Sequence, residues 1–123
     1  MTEPTLRDCT ILVVEDEYLL AHDLCAELTG RGATVLGPAA TVEQGLELLQ
    51  QTPELDGAIL DVNLRGELVF SLADELIARE LPFVFTTGYD LSIIPQRFAH
   101  VTRCEKPVET AWVVDEIGRI AHN

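Results

Sequence analysis

Three short apolar runs, each ending in polar residues, most constrain what this chain can fold into. Ile11-Leu12-Val13-Val14 runs into Glu15-Asp16-Glu17, Gly57-Ala58-Ile59-Leu60 into Asp61, and Phe83-Val84-Phe85 into Thr86-Thr87-Gly88. Short runs with β-branched or aromatic residues, followed by acids or turn residues, read as buried strands. They carry few polar residues, as parallel strands covered on both faces do. Helical patterns lie between them. Leu19, Leu20, Leu24 and Leu28 recur at helical spacing, with Asp23 and Glu27 on another face, and Gly30 and Gly32 stop the helix. Thr41-Val42-Glu43-Gln44 has the form of a capping box ahead of Leu46, Leu48 and Leu49, and Pro53 ends that region.

Two further strands are expected, at Ala33 to Leu36 before Gly37-Pro38 and at Val101 to Cys104. A helix is expected from Leu68 to Glu80, with Leu68, Leu72, Leu76 and Ile77 in one stripe. Asp90 to Arg97 holds Pro95 and reads as a short helix. Glu109 to Ala121 is the last helix, with Val113, Val114, Ile117 and Ile120 as its apolar positions. Strands thus alternate with helices five times, the pattern of a doubly wound α/β domain with parallel strands and right-handed crossovers. A length of 123 residues suits one domain, with a core at about 8–121.

Charge narrows the function. A net charge of −13 disfavours nucleic acid and anionic membranes, both of which call for Lys and Arg. Cys9, Cys25 and Cys104 have neither metal nor redox spacing and read as buried thiols in a reducing compartment. No apolar run approaches a membrane span, and the polar, acidic start lacks the form of a signal peptide, so the expected location is cytoplasmic.

In an open α/β sheet, ligands bind beyond the carboxyl ends of the strands, where Glu15, Asp16, Asp61, Thr87 and Lys106 all fall. Three carboxylates brought together there repel one another and need a cation or a pKa shift. Oxygen-only donors with open positions suit Mg²⁺, which keeps waters and accepts one or two carboxylates together with phosphate oxygens. Asp61 would then be the nucleophile toward phosphorus. The Thr87 hydroxyl can donate to a phosphoryl oxygen, Gly88 permits close approach, and Lys106, ahead of Pro107, supplies a compact positive charge. Glu17 reads as a solvated surface acid. His22, His100 and His122 are scattered, with no zinc spacing, and Trp112 reads as packing or a partner face. P-loop, dinucleotide and serine-hydrolase motifs are all lacking.

With Glu15-Asp16, Asp61, Thr87 and Lys106-Pro107 in this order on these elements, the chain resembles a response-regulator receiver domain over about residues 8 to 121. The resemblance implies a flavodoxin-like, three-layer (βα)5 sandwich with parallel strand order 2-1-3-4-5. It implies that Asp61 accepts a phosphoryl group from a sensor histidine kinase or phosphotransfer protein. It further implies Mg²⁺ on Asp16, Asp61 and the Asn63 backbone carbonyl, with Glu15 acting through water, and Thr87 and Lys106 contacting the phosphoryl group. The only catalysis expected is of the protein's own phosphorylation and dephosphorylation.

The segment Phe85-Thr86-Thr87-Gly88-Tyr89 resembles the Phe-x-Thr-Gly-Tyr signature of stand-alone receivers paired with bacterial histidine kinases of the HWE type. Such a receiver acts through an unnamed downstream protein or as a phosphate sink. Three positions depart from the usual pattern. Arg103 stands where an aromatic is common, with Tyr89 the candidate for part of its role. Arg65 stands where Pro is common, and Glu15 where Asp is. The rival readings are a phosphorylation-independent binding module, a Mg²⁺ phosphohydrolase and a DNA-binding regulator. Asn63, two residues past the nucleophile, disfavours the phosphohydrolase, which needs an Asp there.

Overall fold

The computed structural model describes residues 5–88 and 91–121. Five parallel strands form one sheet: β1 (Thr10–Val14), β2 (Thr34–Ala39), β3 (Gly57–Asp61), β6 (Phe83–Thr87) and β7 (Arg103–Glu105), in the order β2-β1-β3-β6-β7. With the main strands counted alone this is 2-1-3-4-5, the order expected. The remaining elements are helices α1 (Tyr18–Gly30), α2 (Val42–Gln51), α3 (Phe70–Ala78) and α4 (Thr110–Ala121), and a two-stranded hairpin of β4 (Asn63–Leu64) and β5 (Glu67–Leu68).

Side-chain alternation along the strands builds two cores, which is why the strands read as continuously apolar. Leu12, Val14, Ala58, Leu60, Phe83 and Phe85 point to one face, where α2 and α3 contribute Val42, Leu49, Leu72 and Leu76. Ile11, Val13, Ile59 and Val84 point to the other, against Leu24 and Leu28 of α1 and Val113, Val114 and Ile117 of α4. The result is a helix–sheet–helix sandwich. Thr41 caps α2 as expected, its side chain accepting from the Gln44 N–H at 3.1 Å, while Gln44 accepts from the Ala40 N–H at 2.9 Å.

Several boundaries differ from the sequence expectation. The second strand is Thr34–Ala39, not Ala33 to Leu36. It runs through Gly37-Pro38, where the pairing with β1 is irregular. Gly37 has a φ of +99°, and a Cβ there would lie 2.7 Å from the Val13 carbonyl oxygen, so the strand bends at a residue without a side chain. The fifth strand is Arg103–Glu105, not Val101 to Cys104. The third helix starts at Phe70, because the hairpin occupies the residues before it, and Leu68 is left 42% exposed.

The fourth crossover holds no α-helix among the described residues. Among the described residues it consists of two 3₁₀ turns, Leu91–Ile93 and Gln96–Phe98, on either side of Pro95. Side chains hold it down instead of helical bonds. Phe98 is fully buried and packs on Phe70 and Phe85 with ring centroids 5.5 and 5.7 Å away. Arg97 forks onto Asp74 of α3 at 2.9 and 3.0 Å.

Cys9 and Cys104 are buried, Cys25 is partly buried, and none is in a disulfide. Burial, with the nearby charge of Glu116, pushes the Cys104 thiol up to about 11, so it is a packing residue and not a reactive one. Among the described residues no helix is long and apolar enough to cross a membrane.

Candidate functional site

Strand register sets the site. Val14 pairs with Leu60, Asp61 with Thr86, and Thr87 with Glu105. Glu15, Asp61, Thr87 and Lys106 therefore emerge at one edge of the sheet, around a cleft of about 500 Å³. Asp16, Glu17, Asp61, Asn63, Arg65, Thr87 and Lys106 are among its lining residues.

The acids lie together. Glu15, Asp16 and Asp61 each offer an oxygen, and these atoms lie within 4.8 Å of one another. Glu15 and Asp61 are only 2% and 3% exposed. Hard oxygen donors this close fit a small divalent cation such as Mg²⁺. Two cations of the chain itself also reach them. Lys106, the single lysine of the sequence, puts Nζ 3.0 Å from Asp61 Oδ2, 2.8 Å from Glu17 Oε1 and 3.4 Å from Glu15 Oε2. Arg65 Nε donates to Asp16 Oδ2 at 3.1 Å.

The backbone completes the cradle. The Asn63 N–H donates to Asp61 Oδ1 at 3.1 Å, and the Glu17 N–H donates to Glu15 Oε2 at 3.1 Å. The Lys106 N–H donates to the Thr87 carbonyl at 2.7 Å, which fixes the lysine backbone to the end of β6. Thr87 itself is 3% exposed and lines the cleft. The expected Asn63 is on β4, and its side-chain Oδ1 accepts from the Gly66 N–H at 2.6 Å.

Charge and burial oppose each other here. Burial, the shared hydrogen bond with Asp61 and the charge of Asp61 push the Glu15 carboxyl up to about 8. Burial also raises Asp61, against the opposing pull of its hydrogen bonds to Glu15, Lys106 and the Asn63 N–H. Lys106 is penalised by burial, but its hydrogen bonds to Glu17 and Asp61 outweigh this and hold the ammonium above its ordinary range.

A stability effect follows from Glu15. Its carboxyl holds a proton more tightly when folded than when unfolded, so between pH 4.5 and about 8 the folded state binds more protons. Stability of the metal-free protein is therefore expected to fall as pH rises through that window. Glu15→Gln is expected to flatten the slope in urea titrations run with a chelator at several pH values. An unchanged slope would mean that Glu15 is not the group responsible.

Two participants were not anticipated. Thr86, fully buried one residue before the expected Thr87, donates from Oγ1 to Glu15 Oε1 over a long 3.5 Å. Glu17, read as a plain surface acid, makes the shortest of the Lys106 contacts. Of the remaining expectations, Trp112 is 46% exposed and His22 and His100 are exposed, whereas Tyr89 and His122 lie outside the described residues.

No protein-family model matches the chain. SdrG from Sphingomonas melonis is 36% identical, with a TM-score of 0.75 over 89% of this chain and 95% of that one. A second SdrG structure, in a BeF3-activated conformation, is 32% identical, with a TM-score of 0.68 over 98% of this chain and 99% of that one. A putative response regulator from Chloroflexus aurantiacus is 26% identical, with a TM-score of 0.78 over 94% of this chain and 98% of that one. The phyllosphere-induced regulator PhyR of Methylorubrum extorquens is 31% identical over 90 residues, 72% of this chain. The chain spans about a third of the length of that curated relative, 32%. With this sheet order, the acids gathered at its carboxyl edge and near end-to-end similarity to SdrG, the chain belongs to the response-regulator receiver family of two-component signalling.

Proposed function

We propose that Asp61 accepts a phosphoryl group from the phosphohistidine of a sensor histidine kinase or phosphotransfer protein, in a Mg²⁺-dependent step. The observation that carries this is a nearly buried carboxylate facing a cleft, with an ammonium at 3.0 Å and two further acids within reach of a shared cation. An Asp61 oxygen forms the new P–O bond as the P–N bond breaks, and the bonding pair returns to the imidazole nitrogen. The Asn63 N–H holds the other Asp61 oxygen, which fixes the attacking geometry. Lys106 and Thr87 face the group that arrives. Mg²⁺ on Glu15, Asp16, Asp61 and the Asn63 carbonyl would neutralise the charge gathering on the phosphoryl oxygens.

Receivers of this family are not classical enzymes. The reading extends to a stand-alone, cytoplasmic receiver working through protein contacts or as a phosphate sink. Its support is the match to nearly the whole SdrG chain and an acidic charge unsuited to nucleic acid. A relative with a BeF3-activated conformation supports phosphorylation as the input. Pairing with an HWE-type kinase rests on Phe85-Thr86-Thr87-Gly88-Tyr89.

Incubation with Mg²⁺ and acetyl phosphate is expected to add one phosphoryl group to the intact mass, with the modified peptide containing Asp61. No gain with Mg²⁺, or the same gain in excess chelator, would overturn the reading.

A further inference from the structure

Arg65 occupies a place its backbone does not favour. Together with Gly66 it makes the two-residue turn between β4 and β5, and both have positive φ, +54° and +95°. A type I′ hairpin turn requires positive φ at both central positions and is made most readily by Asn-Gly or Asp-Gly. Arginine there is held in the left-handed region at a cost. A residue that violates a local rule in this way marks a position to examine for function.

What the turn gains is the direction of the side chain. Arg65 lies on the cleft wall, and its Nε donates to Asp16 Oδ2 at 3.1 Å. The two partners are unequally placed: Asp16 is 10% exposed at the side chain and Arg65 is 83% exposed. The carboxylate is fixed at the end of β1, whereas the guanidinium reaches in from solvent and leaves at little cost, since exposed ion pairs contribute only about 0.2–1 kcal/mol. Lys106 already serves Glu15, Glu17 and Asp61, so among the described residues Arg65 is the counter-charge of Asp16.

We propose that Arg65 is a displaceable counter-cation that neutralises Asp16 in the metal-free protein and competes with the divalent cation for it, so that this turn sets the Mg²⁺ concentration at which the site becomes competent. The inference rests on the acceptor reading of Asp61 and assigns a positioning residue outside the acid set. Mg²⁺ binding breaks the Arg65–Asp16 pair and returns the guanidinium to solvent over the cleft mouth. Affinity for Mg²⁺ is therefore lower than the three acids alone would give.

The test is calorimetric titration of the unphosphorylated full chain with MgCl₂. Arg65→Asn removes the charge and suits the turn better, so a change in Mg²⁺ affinity cannot come from loss of the hairpin. It is expected to bind Mg²⁺ more tightly at low salt, by up to about fivefold, the factor equivalent to an exposed ion pair. The gap should narrow at high ionic strength as the pair is screened. Arg65→Lys keeps the charge and is expected to stay near the wild-type affinity. Unchanged or weaker binding by Arg65→Asn, while the wild type binds Mg²⁺ and is phosphorylated, would overturn the counter-cation role and leave the acceptor reading standing. Failure of the wild type to bind Mg²⁺ at all would remove the metal site and this role together.

Discussion

Asp61→Asn is expected to abolish phosphorylation and, in the absence of metal, to melt at a higher temperature than the wild type. The first effect is chemical: an amide oxygen is too poor a nucleophile to replace a carboxylate. The second follows from burial. The carboxyls of Asp61 and Glu15 share a hydrogen bond, and both are held above their ordinary pKa, so the fold resists ionising them. An amide of the same shape removes one of the two charges. Its oxygen can still accept from the Asn63 N–H, while its amino group takes the Oδ2 position and gives up the Lys106 contact. Lys106 keeps Glu15 and Glu17 as partners. The gain is put at about 1 kcal/mol, the usual size for a substitution that relieves an active-site cost at the expense of function, or roughly 4 °C for a domain of this size. Calorimetry in a chelator checks the stability, and mass spectrometry after acetyl phosphate treatment checks the chemistry. Phosphorylation elsewhere in the variant, or a melting temperature below the wild type, would contradict the respective effect.

The same balance explains which parts of the molecule were legible in the sequence. The strands that carry Glu15, Asp61 and Thr87 are buried on both faces, so their residues have almost no freedom to be polar until the strand ends. The pattern therefore exposed both the strand and its functional terminus. β7 is an edge strand of three residues with Arg103 partly buried, and its limits could not be read from apolar spacing. The fourth crossover failed for a different reason. Its position is kept by Phe98 stacking on Phe70 and by Arg97 gripping Asp74, contacts between residues distant in sequence that no local periodicity records. Leu19, which seemed to belong to the buried stripe of α1, is 74% exposed, because the stripe that packs is Ala21, Leu24 and Leu28.

The acid set of the site was legible, but its counter-charges were only half so. Lys106 stood out at the end of a strand. In the sequence Arg65 stands out only as a departure from a family pattern, because the two-residue strands that aim it at Asp16 are too short to show a period. Arg65-Gly66 between Asn63-Leu64 and Glu67-Leu68 was the available signal, a two-residue turn between short paired segments. Glu17 was misjudged because its role depends on the reach of Lys106 from the opposite side of the cleft.

Lys106→Met is expected to destabilise the metal-free protein by about 2 kcal/mol near neutral pH, roughly 8 °C in melting temperature. Removing one member of a buried charge cluster leaves the others uncompensated, which costs more than the intact cluster contributes. Here the loss leaves Asp61 and Glu15, both nearly buried, without the ammonium at 3.0 and 3.4 Å. Two dependences separate this cause from a general packing defect. Above pH 8 Glu15 ionises as well and adds a second uncompensated charge, so the cost should grow. Saturating Mg²⁺ should shrink it, because a divalent cation replaces the missing charge and stabilises the fold by linkage. A cycle with Asp61→Asn gives the third check: Lys106→Met should cost less when Asp61 is already neutral, and the difference is the coupling of the pair. A cost unaffected by pH, Mg²⁺ and the Asp61→Asn background would make Lys106 a packing residue whose charge does no work at the site.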